Sequence, residues 1–173
     1  LEAFRVDARI AALSSDEQAR MKAGMEKLYR AAFEHGINVV SANKQPLALP
    51  QPERVALLAS ARRHFRAYHY ETTVGAALPV IETLKNLVRT GDHVTMIEGA
   101  FSGTLGFLCE CLVQGDALSV AVRKAKDLGY TEPHPRDDLS GLDVARKAVI
   151  LARELGLQVE LGDVALEPFV PAE

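Results

Sequence analysis

The run GYTEPHPRDDLSGLDVARK, residues 129–147, concentrates carboxylates and basic groups directly before a segment whose apolar spacing predicts a helix. Asp143 and Lys147 are four residues apart, so on that helix they lie on one face, in the order that favours an ion pair. Ser140 stands three residues before Asp143, a spacing typical of a capping box. The run is therefore either a solvated helix start or the rim of an active site, and the residue types alone leave both interpretations open.

Four other positions carry features that could serve a site. Glu132 precedes Pro133, which biases its backbone towards an extended form, so its carboxylate is expected to project from a loop. Lys44 follows a short β-rich run, and strand ends present functional groups in α/β proteins. Thr104 stands near a predicted helix start, and Gly129 suits the residue that ends a helix. Three of them also have an ordinary structural explanation: Lys44 as a solvated lysine, Thr104 as a helix-start hydroxyl and Gly129 as a helix stop.

Helices and short strands alternate along the chain and must hold these groups in place. Helices are predicted where apolar residues recur at helical spacing, and strands where β-branched and aromatic residues cluster. The predicted helices are Asp16–Glu34, Pro52 to about Arg62, Gly75 to the residue before Gly91, Thr104–Val113, Leu118–Leu128 and Leu142–Leu155. The predicted strands are Ile37–Ser41, the aromatic run that ends near Thr73, Val94–Ile97 and Val159–Leu166. This order predicts the α/β class, α+β-like in detail, with a mixed β-sheet and helices on one face.

Two smaller expectations concern burial. Four residues at helical spacing are expected to form the buried face of the first helix: Met21, Met25, Leu28 and Ala32. Cys109 and Cys111 are two residues apart within a predicted helix, where their side chains point in different directions. Neither a disulfide nor a shared metal is therefore expected, and both are expected to be buried thiols.

Composition narrows the classes of function. The chain has 173 residues, of which 48% are hydrophobic and 25% charged, values typical of a globular domain with a sizeable core. Its net charge is −3 and its pI about 6.0, and it has no basic cluster typical of a nucleic-acid or membrane surface. No signal-peptide pattern or long apolar run is evident. We therefore expect a soluble cytoplasmic protein that binds neither nucleic acid nor membranes.

The glycine-bearing stretch GAFSGTLG, residues 99–106, is not a nucleotide-binding fingerprint. Its glycines do not have the spacing G-x-G-x-x-G, and the sequence contains no P-loop. The usual phosphate-binding turns are therefore not expected in this chain.

Four blocks in this order resemble the homoserine dehydrogenases: NVVSANK (38–44), YETTVGAALPVI (70–81), IEGAFSGTLGFL (97–108) and the run at 129–147. The resemblance extends from about Asn38 to Glu173. It implies an NAD(P)-dependent enzyme that interconverts L-homoserine and L-aspartate 4-semialdehyde, on the route to threonine and methionine. It also implies that residues 48–173 form a substrate-binding and dimerisation domain, which predicts a homodimer. Residues 1–47 would be the C-terminal edge of a nucleotide-binding domain, most of which is missing, or an N-terminal extension.

The resemblance implies roles for individual residues. Lys147 would be the acid/base that exchanges a proton with the substrate hydroxyl or carbonyl, as alcohol oxidation requires. The substrate-binding residues would be Glu132, Asp138, Asp143 and Thr104. Lys44 and Gly129 would lie beside the cofactor, where a glycine permits close approach.

A monovalent cation, sodium in particular, is a further implication of the resemblance. In this family it is held by the loop that corresponds to Glu71–Leu78, and hard cations prefer oxygen ligands. By position, the ligands would be the Glu71 carboxylate and the main-chain carbonyls of Val74, Ala76 and Leu78. Ala77 replaces the glycine that is more usual there, and alanine resists backbone angles that glycine permits.

A non-catalytic module derived from the family, one that pairs chains or binds an amino acid, is the alternative function. A G-x-G-x-x-G strand-turn-helix upstream of Leu1 would favour the enzyme. Hydride transfer requires the nicotinamide to be held beside the substrate, usually by such a turn, so we expect little dehydrogenase activity from the 173-residue chain by itself.

Overall fold

The computed structural model of the protein describes residues 15–131 and 135–170, and their side chains from residue 24 onwards except at residue 137. The chain forms two compact units, Leu1–Thr73 and Val74–Glu173. The sequence places a domain boundary between residues 47 and 48 instead, and that boundary stays a prediction.

The first unit contains a βαβ arrangement preceded by a long helix. Its elements are helix α1 (Ser15–Glu34), strand β1 (Val39–Val40), a 3₁₀ turn (Gln45–Leu47), helix α2 (Gln51–Arg63), strand β2 (Tyr68–His69) and a second 3₁₀ turn (Glu71–Thr73). The strands are parallel, with Val39 opposite Tyr68 and Val40 opposite His69. Helix α2 supplies the crossover that parallel strands need, and Pro52 lies in its first turn, as predicted.

Two aromatic side chains lie in the hydrophobic core of the first unit. Its main cluster consists of Tyr29, Phe33, Val39, Leu57 and Ala61. The predicted buried face of α1 is only partly correct. Met25 and Ala32 pack against this core, but Leu28 is 57% exposed, because the aromatic residue that follows it is buried in its place. The side chain of Met21 lies outside the described ones.

The second unit is helical in the ranges that the structure describes. Its elements are α3 (Val80–Arg89), α4 (Gly103–Val113), α5 (Leu118–Asp127), α6 (Pro135–Leu139), α7 (Leu142–Glu154) and a 3₁₀ turn (Leu161–Asp163). Helix α4 packs on α5, and α7 packs on both α3 and α6. The buried hydrophobic cluster of the α4–α5 pair consists of Leu108, Cys111, Ala121 and Ala125.

Helix α3 begins later than its predicted start at Gly75. Gly75 and Ala76 have φ angles of 85° and 51°, in the left-handed region, which a helix cannot include. A Cβ added to Gly75 would clash with the side chain of Val80, so this position requires glycine. The helix therefore begins at Val80, directly after Pro79.

Two predicted strands are not formed within the described residues. Val94–Ile97 lies in the irregular segment 92–102, and the predicted strand Val159–Leu166 contains a 3₁₀ turn instead. That turn is stabilised by a capping box between Glu160 and Asp163. A strand requires hydrogen bonds from an extended neighbour, and the described residues of this unit provide none to these segments. High β-propensity was therefore insufficient to form a strand here.

The α/β class predicted from the sequence is confirmed, in a helix-rich form whose described sheet has two parallel strands. No described helix combines the length and the apolar character that a membrane crossing requires.

The two cysteines differ in burial. Cys111 is buried in the α4–α5 core, as predicted, whereas Cys109 is exposed, which corrects the expectation that both are buried. The helical geometry explains the difference, because residues two apart on α4 face different sides.

Candidate active site

A glycine directly precedes helix α7. Gly141 is the N-cap residue, with φ of 75°, and a Cβ at this position would lie 2.8 Å from Leu166 Cδ1. Glycine has no side chain that could cap the helix, and the Ser140 Oγ accepts instead from the Leu142 N–H at 3.4 Å, so Ser140 is not the N-cap that the predicted capping box with Asp143 requires. With the N-cap at Gly141, Asp143 is the second helical residue, and the box requires the third. The side chain of Asp143 is thereby left to bond elsewhere.

Asp143 bonds Lys147 one turn along the helix. Lys147 Nζ lies 2.7 Å from Asp143 Oδ2, and the side chains are only 15% and 12% exposed. The interpretation as an ordinary exposed ion pair is therefore wrong, although the pair itself was predicted. Withdrawal of two charges from water is costly unless they are well paired, so this arrangement differs from a surface contact.

A second partner of Lys147 comes from the glycine-bearing turn before α4. Lys147 Nζ donates a hydrogen bond to the main-chain carbonyl of Phe101 at 2.6 Å. The next residue, Ser102, caps α4, because its Oγ accepts a hydrogen bond from the Leu105 N–H at 3.1 Å. The cap therefore fixes the chain at the start of α4, directly after the Phe101 carbonyl that contacts Lys147.

Thr104, two residues further on, connects α4 to the loop after α5 and to α6. Its hydroxyl lies 2.5 Å from the Tyr130 carbonyl and 3.1 Å from Asp138 Oδ1. Thr104 and Asp138 are 8% and 5% exposed. A hydroxyl has one proton and two lone pairs, so Thr104 shares its proton between these two acceptors and can still accept a bond from a substrate. The substrate-binding roles predicted for both residues stay predictions.

The loop that carries Glu132 is anchored at its start. The Tyr130 ring packs edge-on against Phe107 with a centroid distance of 5.1 Å, in addition to the carbonyl contact with Thr104. Glu132 itself lies outside the described residues. Its predicted contact with the substrate ammonium group stays a prediction.

Gly129 ends α5 as predicted. Its φ is 71°, its N–H donates to the Lys126 carbonyl, and the next N–H donates to the Ala125 carbonyl, a Schellman motif. A Cβ added here would meet no atom within 4 Å. The left-handed backbone therefore explains the glycine.

The C-terminal half of α7 is fixed by a buried arginine. Arg153 has a fully buried side chain that donates to the Val159 carbonyl at 2.9 Å and to Glu160 Oε2 at 2.8 Å. Charge-assisted bonds of this kind are among the stronger ones in proteins. They hold the helix that carries Lys147 against the segment that follows it.

Lys44 belongs to the first unit. It is the N-cap residue of the 3₁₀ turn at Gln45–Leu47, where its carbonyl accepts from the Leu47 N–H at 3.1 Å. The side chain is half-buried. A contact of Lys44 with a cofactor stays a prediction.

The predicted cation ligands fall on both sides of the boundary between the units. Glu71 lies in the 3₁₀ turn that ends the first unit, and Val74, Ala76 and Leu78 belong to the second. The Leu78 carbonyl already accepts a hydrogen bond from the Val80 N–H at 2.9 Å. Among the side chains in the described ranges there is no group of three or more His, Cys, Asp or Glu suited to a metal ion. The sodium site stays a prediction.

The structure adds groups that the sequence did not indicate. The carbonyls of Phe101 and Tyr130 are acceptors at the site, and main-chain atoms leave no signature in residue types. Ser102 could have been found, since serine is a preferred N-cap and the predicted start of α4 was only one residue late. Of these groups, the Phe101 carbonyl contacts Lys147 and the Tyr130 carbonyl contacts Thr104.

Residues 79–172, more than half of the chain, match a protein family described as homoserine dehydrogenase. A homoserine dehydrogenase of Emericella nidulans is 48% identical over 151 residues, and the match covers 84% of this chain and 41% of the relative. The chain therefore spans less than half of the length of that relative.

Two solved structures are similar in fold and sequence. A homoserine dehydrogenase from Thermoplasma acidophilum is 33% identical, with a TM-score of 0.67, over 83% of this chain and 44% of the other. A hyperthermophilic archaeal homoserine dehydrogenase in complex with NADPH is 28% identical, with a TM-score of 0.67, over 77% of this chain and 40% of the other.

Proposed function

The chain belongs to the homoserine dehydrogenase family, and on that premise we propose that the protein containing it interconverts L-homoserine and L-aspartate 4-semialdehyde with NAD(P). The observation that carries the proposal is the burial of the Lys147 side chain together with its two fixed partners. Its ammonium is largely removed from solvent and held by Asp143 and by the Phe101 carbonyl. A structural ion pair needs no such third partner, whereas an acid/base must be held at one point in space.

Lys147 takes up the hydroxyl proton of homoserine in the oxidative direction. The amine form of Lys147 accepts this proton as a hydride leaves the same carbinol carbon, so the alcohol becomes an aldehyde. The ammonium that results is stabilised by the carboxylate of Asp143 at 2.7 Å. In the reductive direction the same ammonium returns its proton to the carbonyl oxygen of the semialdehyde.

NAD(P), when bound, supplies the nicotinamide that accepts the hydride. NADPH is present in the structure of the archaeal relative. Gly129 would lie beside the cofactor, since a glycine permits close approach and a Cβ added here would meet no atom within 4 Å. Gly129 is joined through Tyr130 to Thr104, one of the residues that we assign to the substrate.

Glu132 is the residue we assign to the ammonium group of homoserine, since a carboxylate is the natural partner of an alkylammonium. Thr104 and Asp138 would bind the substrate from the side of α4 and α6. The homodimer, the cytoplasmic location and the route to threonine and methionine remain proposals. A non-catalytic module is disfavoured because Asp143 and Lys147 are both present and paired.

Turnover by Lys147→Ala in the longer protein tests the proposal. We expect kcat for homoserine oxidation to fall at least ~100-fold, as for loss of a general acid/base. Lys126→Ala is the matched control, because Lys126 is an exposed lysine on α5, and it should retain the activity of the unmodified protein. Activity is followed by NADPH absorbance, and folding by circular dichroism. Near-normal turnover in folded Lys147→Ala would contradict the assignment, and absence of homoserine oxidation in the unmodified protein would contradict the function.

A further inference from the structure

Lys147 uses two of its three N–H groups on fixed partners. A lysine ammonium has three donors and no acceptor. One N–H points to Asp143 Oδ2 at 2.7 Å and another to the Phe101 carbonyl at 2.6 Å. Because the substituents of the nitrogen are tetrahedral, two fixed bonds and the side chain determine the direction of the third.

The same two bonds can persist when Lys147 loses a proton. A neutral amine keeps two N–H donors and one lone pair, so it can still donate to both acceptors. The lone pair then lies along the remaining tetrahedral direction. A base whose lone pair has a single direction is aligned for proton transfer before the substrate arrives. The Phe101 carbonyl is therefore more than a packing contact, because without it the amine would rotate about the bond to its side chain.

The position of the Phe101 carbonyl depends on the start of α4. Ser102 holds this point in two ways: its Oγ accepts from the Leu105 N–H and its carbonyl accepts from the Gly106 N–H, both at 3.1 Å. Phe101 itself is half-buried and lines an apolar cavity of about 300 Å³ together with Ala148 and Leu151 of α7. The turn is therefore held by the Ser102 cap and lies beside the helix that carries Lys147.

We propose that Ser102 is a positioning residue for the proton transfer, acting through the Phe101 main-chain carbonyl on Lys147 Nζ. This inference rests on the proposed function for its effect on turnover. The structural part of the inference, that Ser102 fixes the position of Lys147 Nζ, does not depend on that function. Ser102→Ala removes the cap and frees the turn, Ser102→Thr keeps a capping hydroxyl, and Ser119→Ala changes an exposed serine of α5 as a matched control.

The first measurement is the reactivity of the amine in the 173-residue chain. Acetic anhydride labelling, followed by mass spectrometry of peptides, gives the rate at Lys147 relative to exposed Lys126. We expect Ser102→Ala to raise this relative rate ~5-fold, because the cap bond that fixes the turn is lost. Ser102→Thr and Ser119→Ala should leave it unchanged. An unchanged rate in Ser102→Ala, with circular dichroism that shows the variant folded, would overturn the proposal whether or not the protein is a dehydrogenase.

The second measurement is homoserine oxidation by the longer protein. Ser102→Ala should lower kcat ~10-fold and leave KM within ~2-fold, because the base is misaligned while substrate binding is retained. The solvent deuterium isotope effect on kcat should increase, and Ser102→Thr should restore both values. Equal losses in Ser102→Ala and Ser102→Thr, or a rise in KM without a fall in kcat, would overturn the positioning role. If the unmodified protein does not oxidise homoserine, the proposed function fails, and the labelling rates still decide whether Ser102 holds Lys147.

Discussion

Two lysine–aspartate ion pairs in the second unit have nearly the same length and different surroundings. Lys147 and Asp143 are 2.7 Å apart with side chains 15% and 12% exposed. Lys124 and Asp116 are 2.6 Å apart with side chains 52% and 27% exposed. The first pair has a further acceptor, the Phe101 carbonyl, whereas the second joins α5 to the loop before it.

The comparison shows that distance does not separate a pair withdrawn from solvent from a surface pair. Solvent and salt screen the charges of an exposed pair, so its net contribution is small. A pair withdrawn from solvent carries a large cost if one partner is lost. We therefore expect the stability of the fold to depend on the charge and position of Lys147. We expect it to depend little on those of Lys124.

Removal of Asp143 should have the largest effect on stability. In Asp143→Ala the Lys147 ammonium keeps its hydrogen bond to the Phe101 carbonyl but loses the carboxylate of Asp143. Because the charge of Lys147 is largely withdrawn from solvent, we expect the free energy of unfolding to fall by about 3 kcal/mol. Urea denaturation followed by circular dichroism measures it. The double variant Asp143→Leu with Lys147→Met removes both charges and should lose less than the single variant. A double variant as unstable as Asp143→Ala would mean that packing, not the unpaired charge, causes the loss.

Loss of the Thr104 hydroxyl should have a moderate effect. Thr104→Val keeps the shape but leaves the Tyr130 carbonyl and the Asp138 carboxylate without this donor, which should cost about 1–2 kcal/mol. Thr104→Ser keeps the hydroxyl and serves as the control, with a smaller expected loss. Thermal unfolding of the three proteins in the same buffer compares them. Equal loss in the valine and serine variants would show that the methyl group, and not the hydrogen bond, stabilises the site.

Removal of Lys124 should have the smallest effect. The hydrogen bond from Lys124 to Asp116, and then the carboxylate charge, raise the pKa of Lys124 above its ordinary 10.5. A raised pKa means that the pair stabilises the fold below pH 10.5 and stops doing so once the pH exceeds the pKa in the folded protein. The thermal midpoint of Lys124→Met should therefore equal that of the unmodified protein in strongly alkaline buffer. Near neutrality the two midpoints should differ little, and in 1 M salt they should differ less still. A large difference in thermal midpoint at pH 7 would contradict the distinction between the two pairs.

The helices were predictable because their signals are local. Apolar spacing and glycine or proline punctuation placed α2, α4, α5 and α7 within about two residues of their observed ends. Val94–Ile97 was not predictable in the same way, since a strand depends on a partner distant in the sequence. Leu28 was misplaced because helical spacing alone does not choose between two adjacent apolar stripes of α1, and the packing of Tyr29 and Phe33 made that choice.

The sequence by itself determined the family, the α/β class and the pairing of Asp143 with Lys147, because blocks of residues, local propensity and a four-residue spacing are properties of the chain alone. Only the tertiary structure decided that this pair is largely buried and that the Phe101 carbonyl holds its lysine. It also decided that Gly141, and not Ser140, caps α7. The physical reason is that burial and main-chain acceptors arise from segments distant in the sequence, such as Phe101 and Lys147, 46 residues apart, which meet only when the chain packs.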